Sequence, residues 1–201
     1  MSLRFTYSCF APLYDTLVER ATRSLRQDSL AHLPASPGRV LLAGLGTGLD
    51  APWLPPQHEY VGLDLTRAML QKALPRLVAH RFTPLQGDVH ALPFADASFD
   101  HAVLHLILAV VPRPEACLQE AARVLKPGGR LLILDKFLRP GQKAPLRRLL
   151  TPVSGRLATR LDVVFEEVLA RTPGLELEED QPALAGGWFR RIRLRKSDQL
   201  R

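Results

Sequence analysis

The chain has 201 residues, 46% hydrophobic and 23% charged, with a formal net charge of +7. These are ordinary proportions for one soluble globular domain with a full core. The longest central run free of formal charge, His101 to Pro112, is about half of what crosses a bilayer, and no basic start with an apolar stretch and cleavage site opens the chain, so neither a membrane span nor secretion is expected.

Ala11 to Leu33 places Leu13, Leu17, Val18, Ala21, Leu25 and Leu30 at spacings near three and four, which predicts an amphipathic helix closed by Pro34, Pro37 and Gly38. Val40 to Ala43 is a short apolar run of the kind a buried parallel strand shows, and Gly44, Gly46 and Gly48 then allow a sharp turn close to a ligand. Pro52, Pro55 and Pro56 restrict any helix after it to little more than a turn. A second strand, EYVGLDL, reaches Asp64, and Thr66 to Ala79 reads as a helix with Thr66 as N-cap. Phe82 to Gly87 and Phe99 to Leu108 read as strands, Pro114 to Leu125 as a helix, Lys126 to Gly129 as a turn and Arg130 to Leu134 as a fifth strand. Strand alternates with helix throughout, which implies a parallel sheet with helices on both faces. Ala144 to Ala170 is mainly helical, interrupted near Pro152 to Gly155, and Leu175 to Asp180 and Trp188 to Lys196 form two strands joined around Pro182 to Gly187.

The charge is unevenly distributed. Residues 40 to 137 carry 9 Lys or Arg against 9 Asp or Glu, whereas residues 138 to 171 carry 7 against 3 and residues 186 to 201 carry 6 against 1. Basic flanks around a neutral centre point to an anionic partner or surface, with a solvated cationic face as the alternative. Cys9 and Cys117 lie far apart in a chain too large to need a staple and read as reduced, buried thiols, which fits a cytoplasmic protein.

Asp64 stands about 20 residues beyond Gly44, where an acidic side chain in a doubly wound sheet accepts both hydroxyls of a ribose. A nucleoside-containing cofactor follows. A dinucleotide is the weaker choice, because Leu49 stands where the third glycine of that fingerprint belongs.

VLLAGLGTG, VGLDL, GDVHALPF, FDHAVLHLIL and RVLKPGGRLLIL occur in the order and at about the spacing of the motifs of class I S-adenosylmethionine-dependent methyltransferases, which the chain resembles over residues 40 to 135. With FAPLYD near the N-terminus it also resembles the branch that holds quinone C-methyltransferases and soluble bacterial phosphatidylethanolamine N-methyltransferases. The resemblance implies a Rossmann-like, doubly wound α/β fold whose mostly parallel sheet has seven strands. It also implies one domain, with residues 1–38 as a helical lid, 39–137 as the cofactor-binding core, 138–172 as a helical cap over the substrate and 173–201 as a closing strand pair. Backbone at Gly44, Gly46 and Gly48 is expected against the methionine and ribose parts of S-adenosylmethionine, Asp64 on the ribose, Leu65 on the adenine, Asp88 and Val89 at the adenine amino group, and Leu104 and His105 beside the sulfonium. Leu42 occupies a position that is usually acidic in this family, and no Asn/Asp-Pro-Pro-Tyr type tetrapeptide follows the fourth strand.

The expected reaction is methyl transfer to a small, lipophilic acceptor, a phospholipid amine or a quinone-like ring. His105 is the natural general base and Tyr14, in FAPLYD, a second catalytic candidate from the lid. No cluster at metal-ligand spacing is present, so no metal is expected. Peripheral contact with an anionic membrane is expected through the basic flanks, and nucleic acid is not. The alternatives are a non-catalytic cofactor-binding or scaffold protein, suggested by Leu42, and an RNA-modifying methyltransferase, suggested by the charge.

Overall fold

The computed structural model describes residues 20, 22–141 and 162–198. Residues 22–30 are helical (α1), and strand β1 (Arg39–Ala43) follows. A single turn of 3₁₀-helix, Ala51–Trp53, is all the prolines permit before β2 (Glu59–Asp64). Helix α2 (Arg67–Leu77) starts where expected, with the Thr66 hydroxyl accepting from the Met69 amide at 3.4 Å. Then come β3 (Arg81–Gln86), β4 (Phe99–His105), α3 (Pro114–Val124), β5 (Leu125–Lys136), α4 (Phe165–Ala170), β6 (Leu175–Leu184) and β7 (Phe189–Lys196).

The seven strands form one sheet in the order β3-β2-β1-β4-β5-β7-β6. The first five pair in parallel, and β7 runs antiparallel to both β5 and β6. Strand order reverses between β1 and β4, and the crevice outside the carboxyl ends of these strands is where open α/β sheets bind ligands.

Period-two alternation divides the core. Val40, Leu42, Tyr60, Val103 and Leu132 meet Leu30, Leu70, Ala73 and Leu77 on the α1 and α2 face. Leu41, Val61, Ala102, Leu104, Leu131, Ile133, Ile192 and Leu194 meet Cys117, Leu118, Phe165 and Val168 on the α3 and α4 face. Cys117 is a free, buried thiol as expected, while Cys9 lies outside the described residues.

Three boundaries differ from the sequence expectation. Strand β4 ends at His105 rather than Leu108, because Leu106 turns into the left-handed region at φ 57°. The turn expected at Lys126 to Gly129 is a bulge within β5: Leu125 pairs with Phe99 and Arg130 with His101, so the four residues loop out opposite Asp100. Strand β6 continues through Pro182 to Leu184, which an edge strand tolerates. Of the helical stretch expected over Ala144 to Ala170, α4 is the described part, since residues 142–161 lie outside it.

Candidate active site

The glycine turn is tied down at several points. Gly44 and Leu45 both donate to the Leu63 carbonyl at 2.9 Å, and Arg76 donates to the Thr47 carbonyl at 3.0 Å. Gly44 has φ 73°, and a Cβ there would lie 2.6 Å from Ile107 Cδ1, so position 44 has to be glycine for both strain and space. Gly46 has φ 58° with nothing within 4 Å of where a Cβ would be, so the turn leaves an open cradle there.

Asp64 reaches back across this cradle. One of its oxygens accepts from the Gly46 amide at 2.8 Å, the other from the Thr66 amide at 2.9 Å and hydroxyl at 3.3 Å. The oxygen on Gly46 retains a further lone pair. Leu65, beside it, is 44% exposed. The Gly87 amide bonds the Asp64 carbonyl at 3.0 Å, which brings the loop after β3 alongside. There one oxygen of Asp88 accepts from the His90 amide at 2.9 Å and ring Nδ1 at 2.6 Å, leaving the other without a partner among the described residues on a half-exposed carboxylate. The His90 amide bond outweighs the effect of burial and holds the Asp88 carboxyl below its ordinary range. Val89 is buried next to it.

The structure thus brings Gly44, Gly46, Asp64, Leu65 and Asp88 together at the carboxyl ends of the strands, while Gly48 is buried against Ala73 of α2. The Leu104 side chain is elsewhere: alternation sends it to the opposite face from His105, where it is fully enclosed among Leu41, Ala102 and Ile133. Tyr14 lies outside the described residues.

His105 is at the carboxyl end of β4, as expected, with its side chain 1% exposed and both nitrogens occupied. Nδ1 donates to Asp50 at 2.8 Å, which in the neutral ring leaves Nε2 to accept the Ser29 hydroxyl at 3.0 Å. For His105 to take a proton from an acceptor, Ser29 has to part from Nε2. Asp50 also accepts from Arg26 at 2.7 Å, and Arg26 in turn donates to the Thr22 hydroxyl at 3.0 Å. Burial pushes the Asp50 pKa up, but His105 and Arg26 more than reverse this and hold the carboxyl well below the usual range. This buried network, which fastens α1 to the crevice, was missed in the sequence. So was Asp135 at the end of β5, which accepts from the Ala109 amide at 2.9 Å and thereby fixes the segment after Leu106. Burial raises its pKa.

The geometry suits a nucleoside cofactor with an amino-acid end, and the comparisons agree. Residues 41–133 match the family model described as a methyltransferase domain. The chain is 33% identical over 189 residues to a phosphatidylethanolamine N-methyltransferase of Cereibacter sphaeroides, covering 92% of this chain and 93% of that protein. It is 39% identical over 137 residues to the ubiquinone/menaquinone biosynthesis C-methyltransferase of Syntrophotalea carbinolica, covering 62% and 57%. Among solved structures, an S-adenosylmethionine-dependent methyltransferase of Thermotoga maritima superposes with a TM-score of 0.73 over 98% of this chain and all of that one, at 22% identity. A geranyl diphosphate C-methyltransferase of Streptomyces coelicolor, solved with S-adenosylhomocysteine, gives 0.71 over 88% of this chain and 77% of that one, at 14% identity.

The chain belongs to the S-adenosylmethionine-dependent methyltransferases. It is an enzyme that uses S-adenosylmethionine as methyl donor.

Proposed function

We propose that the acceptor is the amine of a phosphatidylethanolamine-type headgroup. The observation that carries this reading is the match at 33% identity to an enzyme of that name over nearly the whole of both chains, whereas the match to the quinone enzyme covers under two thirds of each. The cofactor supplies a methyl group already activated on a sulfonium, so the protein's work is alignment and removal of a proton. In this reading backbone at Gly44, Gly46 and Gly48 receives the methionine and ribose parts, Asp64 the ribose hydroxyls and Leu65 the adenine ring. Asp88 takes the adenine amino group with its open oxygen, with the Val89 backbone beside it. An ammonium acceptor has no lone pair until its proton leaves, and His105, once released by Ser29, or Tyr14 from the lid is the group that takes it. Arg139, Lys143, Arg147 and Arg148 hold the enzyme reversibly at an anionic membrane surface, each basic residue near that surface contributing on the order of 1 kcal/mol.

Incubation with methyl-labelled cofactor and vesicles tests the acceptor. Label in monomethyl- and then dimethyl-phosphatidylethanolamine is expected. Label in demethylmenaquinone with none in the phospholipid would overturn the amine reading in favour of ring methylation.

A further inference from the structure

Asp50 follows the glycine turn directly and opens the 3₁₀ turn, where the Trp53 amide donates to its carbonyl at 3.0 Å and the Ala51 amide to the Gly48 carbonyl at 3.1 Å. Its two carboxylate oxygens are used unequally. Oδ1 accepts from both Arg26 and His105, at 2.7 and 2.8 Å, while Oδ2 has no partner among the described residues, on a side chain that is still 11% exposed. A carboxylate in so enclosed a place normally has both oxygens bonded, because an unsatisfied one forfeits its hydration. Two rigid donors fix the orientation of this one, on the residue two positions beyond Gly48.

Leu42 explains what that oxygen is for. The position that would hold an acid for the methionine end of the cofactor is 2% exposed here and packed among Leu45, Leu54 and Val103. No carboxylate can act from there, yet the α-ammonium of an amino-acid end needs one in a site closed to water. We infer that Asp50 Oδ2 receives the α-ammonium of the cofactor's methionine moiety, the binding role that Leu42 cannot fill. Arg26 and Ser29, both from α1, are positioning residues: they orient Asp50 directly and through His105, so the N-terminal helix is part of the cofactor site. The ionised state this needs is already enforced by His105 and Arg26.

The assignment rests on the cofactor reading above, and calorimetry with three ligands separates the two. S-adenosylhomocysteine carries the α-ammonium, its des-amino analogue lacks only that group, and 5′-methylthioadenosine lacks the whole amino-acid end. Wild type should prefer S-adenosylhomocysteine to the des-amino analogue by roughly 10- to 100-fold, the value of a charge-assisted hydrogen bond. Asp50→Asn keeps an oxygen that can accept from Arg26 and His105 while removing the carboxylate charge, and it should abolish that preference and leave methylthioadenosine binding within about twofold of wild type. A variant that keeps the preference, or that weakens methylthioadenosine equally, would overturn the assignment and leave Asp50 a structural strut. Should Asp50→Asn fail to fold by circular dichroism, equal affinity of wild type for S-adenosylhomocysteine and its des-amino analogue overturns it without any variant. Failure of wild type to bind methylthioadenosine at all would instead refute the cofactor site on which the assignment stands.

Discussion

The β6–β7 hairpin and the crevice at the carboxyl ends of β1, β2 and β4 both gather charged side chains, and they spend them differently. On β7, Arg190 meets Glu166 and Asp180, Arg191 meets Glu179, Arg193 meets Glu178 at 2.8 Å and Glu179 at 3.0 Å, and Arg195 meets Asp198 at 2.6 Å. Each of these four arginines faces a carboxylate of the fold, although Arg190 Nη1 and Arg191 Nε are buried without a partner among the described residues, and Lys196 donates to the Arg123 and Leu125 carbonyls instead. In the crevice, Asp50 and Asp88 each keep one oxygen without a partner among the described residues, and Asp64 accepts from backbone while facing an open glycine. A charge set against an opposite charge of the fold holds a structure together, and a carboxylate that is oriented but left with an open oxygen is available to a ligand.

Removing Arg190 is the severest way to test the hairpin side of that contrast. The side chain is 2% exposed, lies over the Phe165 ring at 5.6 Å and joins α4 to β6 and β7. Arg190→Ala strands two carboxylates against an apolar floor, and the expected loss of stability is about 3 kcal/mol, the lower end for a broken buried ion pair because Glu166 and Asp180 are partly exposed. Urea unfolding reads this, and cofactor affinity measured below the transition should be unchanged. A matching fall in affinity would mean that the hairpin and the crevice are one unit.

The converse holds at Asp64. Asp64→Ala removes an acceptor for Gly46 and Thr66 together with the proposed ribose contact, and should weaken S-adenosylhomocysteine binding by about 1.5 to 3 kcal/mol. The midpoint of unfolding without ligand should move far less. Unchanged affinity in a normally folded variant would remove Asp64 from the ribose.

The contrast also explains what the sequence made legible. Glycines at fixed spacing between two apolar runs, an acid at the end of the second run and strand alternating with helix are local patterns, and from them came the sheet, the turn and Asp64. Asp50, Arg26, Ser29 and His105 form a network only in three dimensions: Arg26 is 24 residues from Asp50, and Ser29 is 76 from His105. The only sign of it in the chain was an aspartate just after the glycines combined with an apolar Leu42. Leu104 was expected beside the sulfonium from the family resemblance, although strict alternation sends its side chain to the face opposite that of His105. The charge count misled for a related reason. A segment cut at residue 186 shows the arginines of β7 and omits Glu176, Glu178, Glu179 and Asp180 on β6, where antiparallel pairing sets Glu179 directly against Arg193 and Glu176 against Arg195.

That pairing sets the smallest effect and bears on membrane attachment. Arg191 and Arg193 share the face that alternation assigns them, but their bonds to Glu178 and Glu179 leave a nearly neutral patch. All three pairs are partly open to solvent, where ion pairs contribute about 0 to 1 kcal/mol. Arg191→Gln with Arg193→Gln should therefore cost under about 1 kcal/mol in urea unfolding. Sedimentation with anionic vesicles should be unchanged within experimental scatter, because cations already neutralised within the fold release few counterions from a charged surface. Substituting Lys143, Arg147 and Arg148 together should abolish whatever sedimentation wild type shows at low salt. If the β7 pair abolishes it instead, the carboxylates of β6 do not screen the strand, and the sheet edge rather than the segment after β5 is the surface that meets the lipid.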